Sequence, residues 1–150
     1  SNSLVLMADR LGFSLTLATP EPEETQESFD ADLQAMIMDN PSIQRVEDPR
    51  DAIASADFIY TDTWIDMQYF NDPTKHAEKT ALVAQMQRFQ INSDLVAGHE
   101  LKIMHDMPIH NDYEITEVAV RDPRSIIFDQ AANRLHAQKG LLYWLLVANT

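Results

Sequence analysis

A three-layer α/β domain is what this sequence predicts, with a mostly parallel sheet flanked by helices, and three observations carry that reading. Helix-like and strand-like segments alternate along all 150 residues, the order that builds a parallel sheet covered on both faces. The strand-like runs are short, and those at residues 125–128 and within 102–110 lead into polar residues, Asp129 and Gln130 in the first and His105 and Asp106 in the second. Strands of an open sheet end that way where the sheet presents a small-molecule site. No internal repeat or low-complexity segment interrupts the alternation.

Each element has its own local cause. Leu4, Met7, Ala8 and Leu11 recur at helical spacing, and Gly12 follows as a stop. Residues 13–18 read as a strand closed by Thr19-Pro20. A capped helix is expected over residues 25–38, with Phe29, Leu33, Met36 and Ile37 on its buried face. Residues 42–47 form a short strand and 49–55 a short helix. The next strand spans 58–61 and runs into a loop over 62–72. Pro73 suits the first position of a helix, where its missing N–H costs nothing, and that helix reaches about Gln87. A turn of helix near 92–97 precedes a strand over 101–104, and 115–120 is short and helical. Residues 125–128 are read as the last strand, followed by a long C-terminal helix from Asp129.

Composition narrows the function classes. A chain of this length can bury a proper core. The net charge of −13 argues against nucleic acid, which demands a basic surface. No apolar run approaches the roughly 18 residues of a membrane span. The acidic cluster at residues 21–27 reads most simply as a solvated loop. The absence of cysteine rules out disulfides and thiol chemistry, and a cytoplasmic location is expected. Three glycines cannot supply a Gly-x-Gly-x-x-Gly loop, so a nucleotide-dependent dehydrogenase fails on its own signature. No histidine or carboxylate spacing suggests a metal site, and no cofactor is expected.

Three places carry chemistry. Asp62 follows a strand end, where a carboxylate can pair with an ammonium group, and Met67 can pack on an aliphatic stem. The plainer alternative has Asp62 capping a turn and Trp64 filling the core. Asp129, Gln130, Asn133 and Arg134 open the last helix, and an arginine beside backbone N–H groups suits an anionic or carbonyl-bearing ligand. Pairing with Asp129 is the alternative for Arg134. Pro108 marks a fixed turn after the 101–104 strand, with His110 in the same loop.

The segment FDQAANRLHAQKGLLYWLL resembles the C-terminal end of ornithine carbamoyltransferases. ADFIYTDTWIDMQ at residues 56–68 is similar to that family's strand and Asp-x-Trp-x-Ser-Met-Gly loop, and MHDMP at 104–108 to its His-Cys-Leu-Pro loop. The opening NSLVLMADRLGFSLTLATPEP resembles the first helix and second strand of its amino-acid-binding domain, so the likeness runs over about residues 2–146. It implies a Rossmann-like domain, residues 1–150, forming the amine-binding half of an enzyme that moves a carbamoyl group from carbamoyl phosphate to an ornithine-like amine, releasing phosphate.

By this resemblance Asp62 holds the substrate's side-chain amine, Asp66 and Met67 contact its α-amino-acid end, and His105 and Met107 line the site. Arg134 orients carbamoyl phosphate near its carbonyl. Asp66 stands where the family has serine, and Asp106 where it has cysteine. A carboxylate at 66 repels an α-carboxylate and favours a second amine or a hydroxyl. Asp106 can accept a proton from the amine nucleophile or bind a cation. The resemblance also implies a carbamoyl-phosphate domain and a further first strand, neither of which this sequence holds, so the chain is expected to be an excised or truncated half that does not catalyse alone. Expected partners are that domain, carbamoyl phosphate, an amine or amino acid, and further copies of the chain in a trimer-based assembly. The departures at 66 and 106 motivate an alternative, a non-catalytic or repurposed paralogue that binds an amine. A purely structural or interaction domain is the remaining one.

Overall fold

The computed structural model describes residues 2–20, 31–65 and 70–148. These form two compact units, Ser1–Ser55 and Ala56–Thr150.

In the first unit, α1 (Asn2–Leu11) leads to β1 (Leu15–Ala18), α2 (Ala31–Asp39), β2 (Ile43–Val46) and α3 (Pro49–Ile53). Gly12 ends α1 at φ 72°, a left-handed conformation that glycine adopts without a Cβ penalty. Strand β1 pairs parallel with β2 from Leu15↔Ile43 to Ala18↔Val46. Val5, Ala8, Leu17, Leu33 and Ile43 form the core, with Leu15, Met36 and Ile37 packed against it. Both helices therefore turn their apolar stripes onto one strand pair. Asp48 caps α3 by accepting from Arg50 N at 2.8 Å, with Pro49 at the first helical position. Of the helix expected over 25–38, residues 31–39 are helical; its earlier part, Phe29 included, lies outside the described residues.

In the second unit, β3 (Phe58–Thr61) is followed by a 3₁₀ turn (Pro73–Lys75), α4 (His76–Met86), α5 (Ser93–Val96), β4 (Lys102–His105), α6 (Glu117–Val120) and α7 (Ile127–Tyr143), which ends in a π turn (Trp144–Ala148). Strand β3 pairs parallel with β4 in the register Phe58↔Lys102 to Thr61↔His105. Parallel pairs flanked by helices are the α/β class the alternation predicts. Asp72 caps the turn that Pro73 opens, accepting from Thr74 N at 2.8 Å. No described helix is long and apolar enough to cross a membrane.

The strand expected at 125–128 is not there. Ser125 makes a single parallel bridge to Ile103, with Ile103 N donating to Arg124 O at 3.1 Å and Ile126 N to Ile103 O at 2.9 Å. The chain then enters α7 at Ile127, two residues before Asp129. A short apolar run does not distinguish a strand from a buried helix start. Here Ile127 is fully buried while Phe128 is mostly exposed, and Gln130 N already donates to Ile126 O.

Arg124 ties this junction together. Its Nε and Nη2 each lie 2.8 Å from an Asp122 carboxylate oxygen, and Nη1 donates to Val96 O and His99 O at 2.7 and 2.6 Å. The side-chain and backbone hydrogen bonds from Arg124 hold the Asp122 carboxyl at about 2. A carboxyl depressed in the folded state stabilises the fold above its ordinary value of 3.8 and loses that contribution as pH falls toward 2. Arg124→Ala is expected to lower the unfolding free energy by about 2 kcal/mol in urea titrations at neutral pH. The same variant should flatten the pH dependence of stability between those two values.

Candidate active site

Parallel pairing decides which loop residues meet. Because Thr61 is level with His105, the next residue on each strand, Asp62 and Asp106, leaves the sheet at the same edge. Asp62 Oδ1 accepts from Thr63 N at 2.7 Å and from Thr63 Oγ1 at 3.3 Å. Partial burial pushes the Asp106 carboxyl up, the negative charge of Asp62 adds to this, and His105 works the other way. Two carboxylates at one edge disfavour double ionisation and leave room for a cation or a shared proton.

Tyr60, on β3, feels the same pair. Its hydroxyl is pushed up by burial first and then by the charges of Asp106 and Asp62, while a Gln130 hydrogen bond and the Arg134 charge pull it down. Gln130 sits in the first turn of α7 and Arg134 four residues on, so both lie on one helix face. Gln130 Oε1 accepts from His105 N at 3.1 Å, which docks that face on the end of β4. Arg134 is exposed, and its positive charge acts on the region that holds the acid pair.

His105 is fully buried. Its Nδ1 accepts from Met107 N at 2.8 Å, which makes Nε2 the protonated nitrogen and the donor to Glu114 Oε1 at 3.1 Å. The same Glu114 oxygen accepts from His110 N at 2.6 Å, and Glu114 is itself fully buried. Asp106 Oδ1 lies 3.3 Å from His105 Nδ1. Met107 has φ 59° and its bond to Pro108 is cis. The left-handed Met107 costs a non-glycine residue about 1 kcal/mol, held in place by the imidazole that its N–H meets.

Of the residues singled out from sequence, Asp62, His105, Asp106 and Met107 share the β3–β4 edge, and Arg134 stands on the helix docked there. Asp66 and Met67 lie outside the described residues. Three neighbours escaped the sequence reading as site residues. Gln130 was noted only as a polar group opening a helix, and Tyr60 looked like an ordinary strand residue. Glu114, a lone acid in a short loop, carried no signal of its own. Among the described residues, no group of three or more histidines and carboxylates could hold a metal ion.

Comparison with known proteins gives this geometry a setting. A family model described as aspartate/ornithine carbamoyltransferase, Asp/Orn binding domain, matches residues 1–145. The ornithine carbamoyltransferase of Archaeoglobus fulgidus is 35% identical over 147 residues, 97% of this chain and 45% of that protein. The Bacillus cereus enzyme of the same name is 36% identical over 144 residues, 94% and 43%. In structure, the anabolic ornithine carbamoyltransferase of Campylobacter jejuni matches with a TM-score of 0.78 at 26% identity, covering 96% of this chain and 46% of that one. The Pyrococcus furiosus ornithine carbamoyltransferase matches at 0.73 and 32%, covering 95% and 44%. A variant of N-acetyl-L-ornithine transcarbamylase, complexed with carbamyl phosphate and N-succinyl-L-norvaline, matches at 0.72 and 26%, covering 94% and 42%. The chain thus spans a little under half the length of these relatives.

A raised carboxyl makes the native state hold its proton longer than the unfolded chain, so this group's effect on stability worsens as pH rises through its folded value. Asp106→Asn keeps the shape and removes the charge. It should unfold at a higher urea concentration than the parent at pH 7 and at the same concentration at pH 3. Equal midpoints at both pH values would show that Asp106 is not under strain from Asp62.

Proposed function

The chain belongs to the aspartate/ornithine carbamoyltransferase family as an Asp/Orn-binding domain, and from that premise we propose that it supplies the amine-binding half of a carbamoyl-transfer site. The observation that carries this reading is the meeting of Asp62 and Asp106 at the level ends of β3 and β4, with Arg134 on the helix docked beside them. Two carboxylates bind an ammonium group, and one whose carboxyl is raised is suited to taking its proton.

In the proposed reaction the substrate enters as a cation between Asp62 and Asp106. Asp106 accepts a proton and frees the nitrogen lone pair, which attacks the carbonyl carbon of carbamoyl phosphate. A C–N bond forms, the bond from carbon to the phosphate oxygen breaks, and phosphate leaves with the bonding electrons and takes up the second proton of the attacking nitrogen, so that a neutral urea-type product remains. Arg134 donates to the carbonyl oxygen, where negative charge grows. Buried His105 touches neither substrate; it fixes the Asp106-Met107 turn, whose backbone carbonyls accept from the carbamoyl NH₂. Catalysis then rests on positioning and electrostatics.

The carbamoyl-phosphate half of the site comes from a second domain, as expected for a chain matching a little under half of its relatives, so the 150 residues alone carry out no transfer. The substrate is an ornithine-like amine. Acids at 62, 66 and 106 favour a diamine over an α-amino acid. Exposed Tyr143, Trp144, Leu145 and Leu146, running from the end of α7 into the π turn, support self-association. Light scattering at micromolar concentration is expected to give a dimer or larger, and a clean monomer would count against this.

Calorimetry tests the central reading. L-Ornithine and 1,4-diaminobutane should bind the chain, the diamine more tightly, and L-norvaline, which lacks the terminal amine, should not. Asp62→Asn and Asp106→Asn should each weaken binding at least tenfold, the rough value of one charge-assisted contact. Joined to a carbamoyl-phosphate-binding domain, the chain should form a urea-type product, and Arg134→Ala should slow that step on the order of a hundredfold. A second reading, amine binding without transfer, is favoured by the carboxylate at 106. Tight binding with no product in the joined protein would establish it.

A further inference from the structure

Forty residues apart in sequence, Phe70 and His110 lie face to face. Their ring centroids are 3.9 Å apart with an interplanar angle of 11°. Tyr113 meets both edge-on, at 6.0 Å from Phe70 and 6.1 Å from His110. Lys79 holds the same ring, its Nζ donating to Phe70 O at 3.1 Å and sitting 5.1 Å from the ring centroid. His110 is 8% exposed, and neither of its ring nitrogens has a hydrogen-bond partner among the described residues. A buried imidazole with idle nitrogens contributes its flat face, not its polarity, and unpaired polar atoms are costly. What His110 holds is set by its backbone, because its N–H binds the Glu114 oxygen that also receives His105 Nε2–H.

The turn between them is clamped from two sides. Gln90 Nε2 donates to Asp112 O and Tyr113 O at 2.9 Å each, and Ile91 N donates to Glu114 O at 2.9 Å. These bonds secure residues 112–114, while the Phe70 stack secures residue 110. Without the stack, the His110 end of the turn loses its side-chain anchor and the Glu114 carboxylate loses a fixed donor.

We propose that His110 is a positioning residue whose stack on Phe70 holds the Glu114 carboxylate against His105, and so fixes the turn that carries Asp106. The link to catalysis rests on the amine-site reading above. The link from Phe70 to His105 does not, and it is testable with no ligand present.

The readout is the His105 ring in the full chain, labelled with ¹⁵N-histidine and followed by long-range proton–nitrogen correlation. In the parent protein His105 should show one tautomer, with Nε2 protonated and Nδ1 accepting. His110→Ala and Phe70→Leu should each lower the ordered population about fivefold relative to alternative ring states, the worth of one aromatic stack. The two nitrogen shifts then move toward each other. His110→Phe keeps the flat face and should restore the parent pattern. The double variant His110→Ala/Phe70→Leu should be no worse than either single one, since both remove the same contact. An unchanged His105 pattern in Phe70→Leu would overturn the proposal. So would a His110→Phe variant as perturbed as His110→Ala, which would put the effect in the imidazole nitrogens. Phe70→Leu keeps most of the apolar volume, so it serves if His110→Ala does not fold. Amine calorimetry and this measurement fail independently, which separates the two readings.

Discussion

His105 has its backbone N–H and both ring nitrogens engaged. Its backbone N–H meets Gln130, Nδ1 takes the Met107 N–H, and Nε2–H goes to Glu114. In a fully buried position each of these contacts is worth more than its surface counterpart, because the alternative is an unpaired polar atom. Removing any one would free the segment from Asp106 to Pro108, or the helix that presents Arg134. The edge where β3 and β4 end is shaped by this one imidazole more than by the strands themselves, which are four residues each.

Charge explains why the arrangement is costly and useful together. Asp62 and Asp106 repel one another, and the partial burial of Asp106 adds to the penalty. Tyr60 registers the same negative field, offset in part by Arg134. A fold gains nothing from such a pair unless a cation or a proton joins it. Functional sites are where groups are held against their ordinary ionisation. That is the physical ground for reading this edge as an amine site, beside the family to which the chain belongs.

Much of the framework was legible because its causes are local. Gly12 stops α1, Pro73 opens the turn that leads into α4, and the 58–61 run is the strand it was expected to be. Asp62 stood out because it follows a strand end, and Asp106 because it stands where the resembling family has cysteine. The run at 125–128 misled because a few apolar residues suit a strand and a helix start equally, and only the burial of Ile127 against the exposure of Phe128 separates them. Glu114 and Gln130 were illegible as site residues for another reason. Each acts through a partner many positions away, and a lone glutamate or glutamine carries no period or cap that betrays such a contact. The Phe70–His110 stack belongs to the same class.

The account is tested most directly by following the Asp106 carboxyl carbon in a pH titration, first without and then with saturating 1,4-diaminobutane. Alone, Asp106 should titrate above the ordinary aspartate value of 3.8. With the diamine bound, a cation between the two carboxylates should bring that midpoint down by a unit or more, roughly the effect of an opposite charge in contact. A diamine that binds while Asp106 titrates unchanged would place the amine elsewhere and contradict the account.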